Sequence, residues 1–181
     1  HIAPVHEYRW REDGESAEDY GLRAANELET EIQRLGAENV VAFIAEPVVG
    51  ATMGAVPPVP GYFKRIREIC DQYGILLILD EVMCGMGRTG TLFACEQDEI
   101  APDIVTIAKG LTSAYAPLSG SIVSDRVWAV LEQGTDAMGP IGHGWTYSAH
   151  PLCAAAGIAN LELIDRLGLA ANAGEVGAYL N

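Results

Sequence analysis

Metal-ligand and disulfide patterns are absent from this chain of 181 residues. Its four cysteines and four histidines show neither C-x-x-C spacing nor a histidine pair at helical ligand spacing. We therefore expect neither a zinc site nor a disulfide framework. No run of residues approaches the ~18 apolar positions of a membrane span, and no basic-then-apolar leader opens the chain. This predicts no membrane partner.

Basic residues are also scarce. Eleven lysines and arginines stand against 25 acidic residues, which gives a formal net charge of -14. Such a chain repels phosphate backbones, so we expect no nucleic acid partner.

The lack of a leader or membrane span predicts a cytoplasmic protein. The first residue is His1 and not Met, and we therefore expect the sequence to be a segment of something longer.

The chain does contain alternating helix and strand patterns, in a composition that is 49% hydrophobic and 20% charged. Apolar residues at helical spacing precede Gly36, and a second apolar helical face runs from Tyr62 to Tyr73 before Gly74. This alternation predicts a soluble α/β domain with a mostly parallel sheet and helices on its faces. The other predicted elements are strands at Val40 to Ala45, Ile75 to Leu79, Ile104 to Ala108 and Ser119 to Val123, and helices at Asp125 to Leu131 and Ser148 to Ile164.

Two of the predicted strands end in charges of opposite sign. The run Ile75 to Leu79 leads into Asp80, and the run Ile104 to Ala108 leads into Lys109. Because ligands of open parallel sheets bind where the strands end, this acid and this amine can converge on one molecule. Pyridoxal 5'-phosphate (PLP) requires such a pair, a lysine amine and an acid on its ring nitrogen. Taken singly, Asp80 could equally be a helix cap, and Lys109 a surface residue with a buried stem.

Six short strings share an order and spacing that resemble the class III (omega) aminotransferases, over about Val40 to Ile164. The glycine-rich string among them lacks the ending of a P-loop and the spacing of a dinucleotide-binding loop, so nucleotide binding is not predicted. The stretch from Leu111 to Leu118 is more similar to the omega-amino-acid:pyruvate group than to the ornithine group. The strings are Ala45-Glu46-Pro47-Val48, Leu79-Asp80-Glu81-Val82, Gly85-Met86-Gly87-Arg88-Thr89-Gly90, Pro102-Asp103-Ile104, Ala108-Lys109-Gly110-Leu111 and Thr146-Tyr147-Ser148-Ala149-His150-Pro151.

The resemblance implies roles for five residues. Lys109 would carry PLP covalently and then move a proton as general base and acid. Asp80 would keep the pyridine nitrogen protonated, and Val82 would press against one ring face. Thr146 matches a residue that binds the cofactor phosphate of the neighbouring subunit, with a helix-approach turn as the alternative. Glu46 matches an acid beside the substrate pocket, and an equally open alternative is a strand-end carboxylate in a structural hydrogen-bond network.

The implied architecture is the PLP-dependent transferase fold type I. Residues 1–165 would be part of the PLP-binding large domain, and residues 166–181 the start of a connection toward a small domain. The implied enzyme is an aminotransferase (transaminase), a homodimer with shared active sites, that moves an amino group from an amine or omega-amino acid to a 2-oxo acid such as pyruvate. The alternatives are an aminomutase or decarboxylating relative on the same scaffold, and a non-catalytic binding protein that retains the fold.

Overall fold

A computed structural model describes residues 1–180 of the chain. Its four strands form one sheet in the order β1-β2-β3-β4, with parallel β1–β2 and β2–β3 pairs and an antiparallel β3–β4 pair. The predicted α/β class and mostly parallel sheet are confirmed. The strands are β1 (Ala42–Ala45), β2 (Leu76–Asp80), β3 (Ile104–Ile107) and β4 (Gly120–Val123), and the helices are α1 (Glu7–Trp10), α2 (Ala17–Leu35), α3 (Tyr62–Tyr73), α4 (Asp125–Met138), α5 (Pro151–Arg166) and α6 (Leu169–Leu180).

Helices α2 and α3 begin and end at recognisable sequence signals. The hydroxyl oxygen of Ser16 accepts the backbone N–H of Asp19 at 3.0 Å, which caps the first turn of α2. Gly36 ends α2 with φ 84°, and Gly74 ends α3 with φ 68°. Glycine adopts such left-handed backbone conformations at little cost, which is why both helices stop there. Both helices were predicted from the sequence and are confirmed.

The core lies between the α2–α3 pair and one face of the sheet. Ile66 and Ile69 of α3 and Leu77 and Leu79 of β2 are fully buried in it. Side chains alternate between the two faces of a strand, so Asp80, which follows Leu79, belongs to the opposite face. The sheet therefore buries its hydrophobic side under helices and presents the strand-end acid on the other side.

The predicted Pro102-Asp103-Ile104 string has a structural explanation in a buried ion network. Asp103 is only 6% exposed, and its Oδ2 accepts from the backbone N–H of Leu77 at 2.8 Å and from Nη1 of Arg67 at 3.0 Å. Its Oδ1 accepts from Nε of Arg126 at 3.1 Å. Burial alone would raise the pKa of this carboxyl, but the Leu77 N–H and the two guanidinium groups together hold it below its ordinary value. One carboxylate thus joins β2, α3 and α4.

Replacing Asp103 with asparagine is expected to lower the free energy of unfolding of the complete protein by roughly 3 kcal/mol at pH 7, because Arg67 would lose its buried partner. The folded-state pKa of Asp103 is depressed, so its stabilisation is present above the ordinary aspartate pKa of 3.8 and is lost as the pH falls through the lower folded value. Urea unfolding should therefore show a difference in the free energy of unfolding between the unaltered protein and Asp103→Asn, and this difference should disappear at acid pH.

Asp71→Asn is the matched control, because Asp71 also pairs with Arg67, at 2.8 Å, but its side chain is 62% exposed. We expect this substitution to change the free energy of unfolding by less than about 1 kcal/mol. Equal effects of the two substitutions would contradict the role given to burial.

The structure extends the predicted elements at the C-terminal end. Helix α4 continues to Met138, beyond the predicted end at Leu131, and α6 occupies residues 169–180. Residues 166–181 were predicted to begin a connection toward a small domain, and that domain division stays a prediction. Helix α6 follows α5 closely and packs against it.

Candidate active site

Three of the predicted site residues lie at one end of the sheet. Asp80 is the last residue of β2, Glu46 directly follows β1, and Lys109 comes two residues after the end of β3. The register pairs Ala45 with Leu79 and Asp80 with Thr106. Glu46 is therefore level with Asp80, and Lys109 lies three residues beyond the partner of Asp80. The acid and the amine reach the same rim from neighbouring parallel strands.

Asp80 is half-buried at this rim, and only one of its two carboxylate oxygens accepts a hydrogen bond from the described chain. The backbone N–H of Val82 donates to its Oδ1 at 3.0 Å, which fixes the carboxylate through a tight turn. Among residues 1–180, the second oxygen, Oδ2, has no hydrogen-bond partner. This oxygen is free to accept a proton or hydrogen bond from a ligand.

Lys109 has a strained backbone and an exposed side chain. Its φ is 40°, in the left-handed region that residues other than glycine rarely adopt. It begins a single turn of 3-10 helix that ends at Leu111. Within the described chain its ammonium group forms no ion pair, in contrast to Lys64, which pairs with Glu99 at 3.1 Å. Local strain of this kind persists only where the surrounding structure enforces it, and it concentrates at functional sites.

A cavity of about 660 Å³ opens beside the rim. Val82 and Thr106 line it from the sheet side, and the segment 143–149 lines it from the other. The hydroxyl oxygen of Thr106 is buried and has no hydrogen-bond partner among residues 1–180. Thr146 is exposed within that segment and is not part of the wall, although the adjacent Tyr147 is. The structure therefore brings Val82 to the cavity wall, whereas Asp80, Lys109 and Thr146 are not among the residues that line it.

Glu46 has a structural partner. Its Oε2 accepts the backbone N–H of Gly50 at 2.9 Å and so closes the turn that follows β1. In the described residues it forms no ion pair with an arginine. One structural hydrogen bond of Glu46 is thus present, as the structural alternative expects, and the substrate-pocket role stays a prediction.

Glu81 had no predicted role, and in the structure it anchors the site. Glu81 is 1% exposed, and its carboxylate accepts the backbone N–H groups of Ala94 at 3.0 Å and Cys95 at 2.9 Å. The thiol of Cys84 donates to its Oε2 at 3.1 Å. Glu81 thereby ties the end of β2 to the far end of the glycine-rich loop. An acidic doublet directly after a buried strand was the available signal.

The two cysteines around Glu81 are inert thiols. Burial, and after it the neighbouring carboxylate, raises the pKa of Cys84 to about 12 and that of Cys95 to about 12. Both stay protonated at neutral pH, and a thiol, unlike a thiolate, is a poor nucleophile. Neither thiol is therefore expected to act as a nucleophile at this rim.

The family model for class III aminotransferases matches residues 2–181 of the chain. The chain belongs to the class III aminotransferases. The resemblance seen in the six strings is confirmed by this match, which extends the similarity beyond Val40 and Ile164 to nearly the whole sequence. The chain is thus a part of an enzyme family whose members are named transaminases.

Relatives of this class III aminotransferase include enzymes with named substrates. The chain is 55% identical over 179 residues to a diaminobutyrate–2-oxoglutarate transaminase of Halomonas elongata, covering 98% of this chain and 38% of that protein. It is 47% identical over 165 residues to a putrescine–pyruvate aminotransferase of Pseudomonas aeruginosa, covering 91% and 35%. A solved transaminase obtained by ancestral reconstruction matches with a TM-score of 0.94 and 54% identity, over 99% of this chain and 39% of that one.

The chain spans about two fifths of the length of these relatives. The fold type I architecture is supported throughout this length, since the matched structures are transaminases and superpose over nearly the entire chain. None of the helices that the structure describes is both long and apolar enough to pass through a membrane.

Proposed function

We propose that the complete protein is a PLP-dependent aminotransferase that moves an amino group from an amine or omega-amino acid to a 2-oxo acid such as pyruvate. The observation that carries this proposal is the placement of Asp80 and Lys109 at the ends of neighbouring parallel strands. Membership of the class III aminotransferases supplies the reaction class. A protein that had kept the fold without the chemistry would have no need of a strained lysine and a carboxylate with one unpartnered oxygen at the same end of the sheet.

The residues at the rim fit PLP. Asp80 offers a carboxylate oxygen with no protein partner among residues 1–180, as a basic ring nitrogen requires. Val82 offers an apolar side chain on the wall of the cavity of about 660 Å³, and Thr106 offers a buried hydroxyl that lacks a hydrogen bond. Lys109 offers an amine that forms no ion pair within the described chain. We therefore assign the cofactor-binding role to Asp80, Val82 and Lys109.

When bound, PLP supplies an electron sink for the pair of electrons left at the substrate carbon. The protein's part is then to control protons. Asp80 holds a proton at the ring nitrogen, and Val82 excludes water from one side of the cavity. Lys109 would take the proton from the substrate carbon that bears the amino group, as general base, and would return it as general acid to the carbon on the other side of that nitrogen.

The amino donor follows from the relatives. Diaminobutyrate and putrescine each carry an amino group at the end of a carbon chain, and the acceptors named with them are 2-oxoglutarate and pyruvate. Both relatives therefore support a donor with a terminal amine and a 2-oxo acid as acceptor.

We also place the protein in the cytoplasm, in keeping with four buried cysteines that are all free.

The complete enzyme is, in this proposal, a homodimer with shared active sites, in which Thr146 holds the cofactor phosphate of the partner subunit. Its support is the exposure of this segment. Trp145 is 76% exposed and Tyr147 is 80% exposed, although both are large aromatic side chains. A segment that presents aromatic residues around a hydroxyl is suited to pack against a second copy.

Borohydride reduction tests the assignment of the lysine. Treating the complete protein with borohydride makes a lysine–cofactor link permanent, and peptide mapping by mass spectrometry should find the added mass on Lys109. Lys64 is the other lysine of the chain, and it pairs with Glu99 on an exposed surface. A tag on Lys64, or no tag on this chain, would contradict the proposed function.

A further inference from the structure

The loop that follows Lys109 has an unusual backbone. Lys109, Ser113 and Ala114 have φ values of 40°, 49° and 64°, so three of six consecutive residues lie in the left-handed region without being glycine. Each such conformation is strained, and it persists only if neighbouring structure imposes it. The direction in which Lys109 points depends on this backbone. Whatever holds the loop therefore also controls the lysine.

Asn160 of helix α5 holds the loop from a distance of about fifty positions in sequence. Its Nδ2 donates to the carbonyl oxygen of Gly110 at 2.8 Å and to that of Leu111 at 3.1 Å. Its Oδ1 accepts the hydroxyl of Ser113 at 2.7 Å. Carbonyl oxygens only accept hydrogen bonds, so the amide nitrogen must face them, and one side chain satisfies three groups of the loop.

The packing around Asn160 leaves the loop little room to move. Gly157, one turn earlier on α5, is buried, and a Cβ at that position would lie 3.0 Å from Cδ2 of Leu118. On the opposite side, a Cβ on Gly110 would lie 2.8 Å from the Cβ of Met86. The loop is thus held closely between the turn after β2 and the face of α5 that carries Asn160.

We propose that Asn160 is a positioning residue that sets the backbone of Lys109, and so aims its amine at the reacting atoms. This inference rests on the proposed function of Lys109 and adds a residue that touches neither substrate nor cofactor. Its physical basis is that the two carbonyls bonded by Asn160 belong to the residues directly after Lys109. Without these bonds the left-handed turn loses the contacts that compensate for its strain.

The substitution Asn160→Asp tests the proposal with almost no change in side-chain size. It removes both N–H donors and places a negative oxygen against the two carbonyls. Asn39→Asp is the matched control, because Nδ2 of Asn39 also donates to a backbone carbonyl, that of Leu35 at 2.9 Å, but Asn39 precedes β1 and so lies at the end of the strand opposite the rim. Hydrogen exchange of the complete protein should accelerate at residues 110–115 by roughly tenfold in the first variant only.

Kinetics provide the second measurement. We expect Asn160→Asp to lower kcat by about 10- to 100-fold while the KM for the amino donor stays within about twofold, since misplacing a reacting group slows the chemical step more than binding. Ser113→Ala removes one of the three bonds and should produce a smaller change in the same direction. It replaces Asn160→Asp as the test if that variant does not fold.

Unchanged exchange at residues 110–115, or faster exchange with an unchanged kcat, would overturn the positioning role. Neither result would affect the borohydride tag on Lys109 in the unaltered protein. Conversely, a tag absent from Lys109 would remove the proposed function even if Asn160→Asp loosened the loop. The two proposals can therefore fail separately.

Discussion

Replacing Lys109 with alanine is expected to lower the rate of amino transfer by the complete protein by at least about 10³-fold, because the substitution removes the group that moves the substrate proton. Folding should be largely unaffected. The side chain of Lys109 is exposed and forms no ion pair or hydrogen bond within the described chain, so its removal breaks none. Steady-state kinetics and urea unfolding of the same preparation measure the two effects.

Lys64→Ala is the control, since it removes a lysine whose only observed ion pair in the described residues is with Glu99 on the surface. Its turnover should match that of the unaltered protein. If Lys109→Ala retained more than a tenth of the normal rate, the proton-transfer role of Lys109 would be wrong.

Mixing Lys109→Ala subunits with Thr146→Glu subunits tests whether the two subunits share their active sites. A Lys109→Ala subunit retains Thr146, whereas a Thr146→Glu subunit retains Lys109 but repels the cofactor phosphate of its partner. Each homodimer should be inactive. A heterodimer of the two should regain up to one working site, which combines Lys109 from one chain with Thr146 from the other. Exchanged mixtures that remain as inactive as their parents would remove Thr146 from the active site and leave it a local turn role.

The sequence alone predicted the strands and helices that build the rim, and the physical reason is local. Asp80 and Lys109 each follow an uninterrupted apolar run, and the glycines that stop α2 and α3 mark the helix ends. Parallel pairing of β2 and β3 then brings the two charges to one edge without further information. The end of α4 was predicted less well, at Leu131 instead of Met138, because no glycine or proline marks a boundary at Leu131.

The residues that support the site were not predicted, because their partners lie far away in the chain. Asn160 sits in an apolar helix, and nothing in its own neighbourhood indicates that it bonds to Gly110 and Leu111. In the sequence, Glu81 is only the second residue of an acidic doublet. The structure shows that its carboxylate accepts hydrogen bonds from the backbone N–H groups of residues 94 and 95. Periodicity identifies which face a residue occupies, but only the packed structure identifies what lies opposite.

The second large effect is expected at Asp80. Asp80→Asn should lower turnover by roughly 10²-fold or more, because it removes the negative charge that holds the proton on the ring nitrogen. The shape of the side chain is retained. The hydrogen bond from the N–H of Val82 is retained as well, since Oδ1, its acceptor at 3.0 Å, has an equivalent in the amide oxygen. We therefore expect the free energy of unfolding to change by less than about 1 kcal/mol.

Asp125→Asn provides the comparison for Asp80→Asn. Asp125 is an exposed carboxylate in the first turn of α4, so its replacement removes one negative charge from the same chain without touching the rim. Turnover of this control should be unchanged, which separates a local effect at the ring nitrogen from a general effect of net charge. Retention of near-normal turnover by Asp80→Asn, with the cofactor bound, would refute the role of Asp80. A loss of turnover that merely followed a loss of folding would refute it too, because the argument requires the carboxylate to act on the bound cofactor and not on the stability of the sheet.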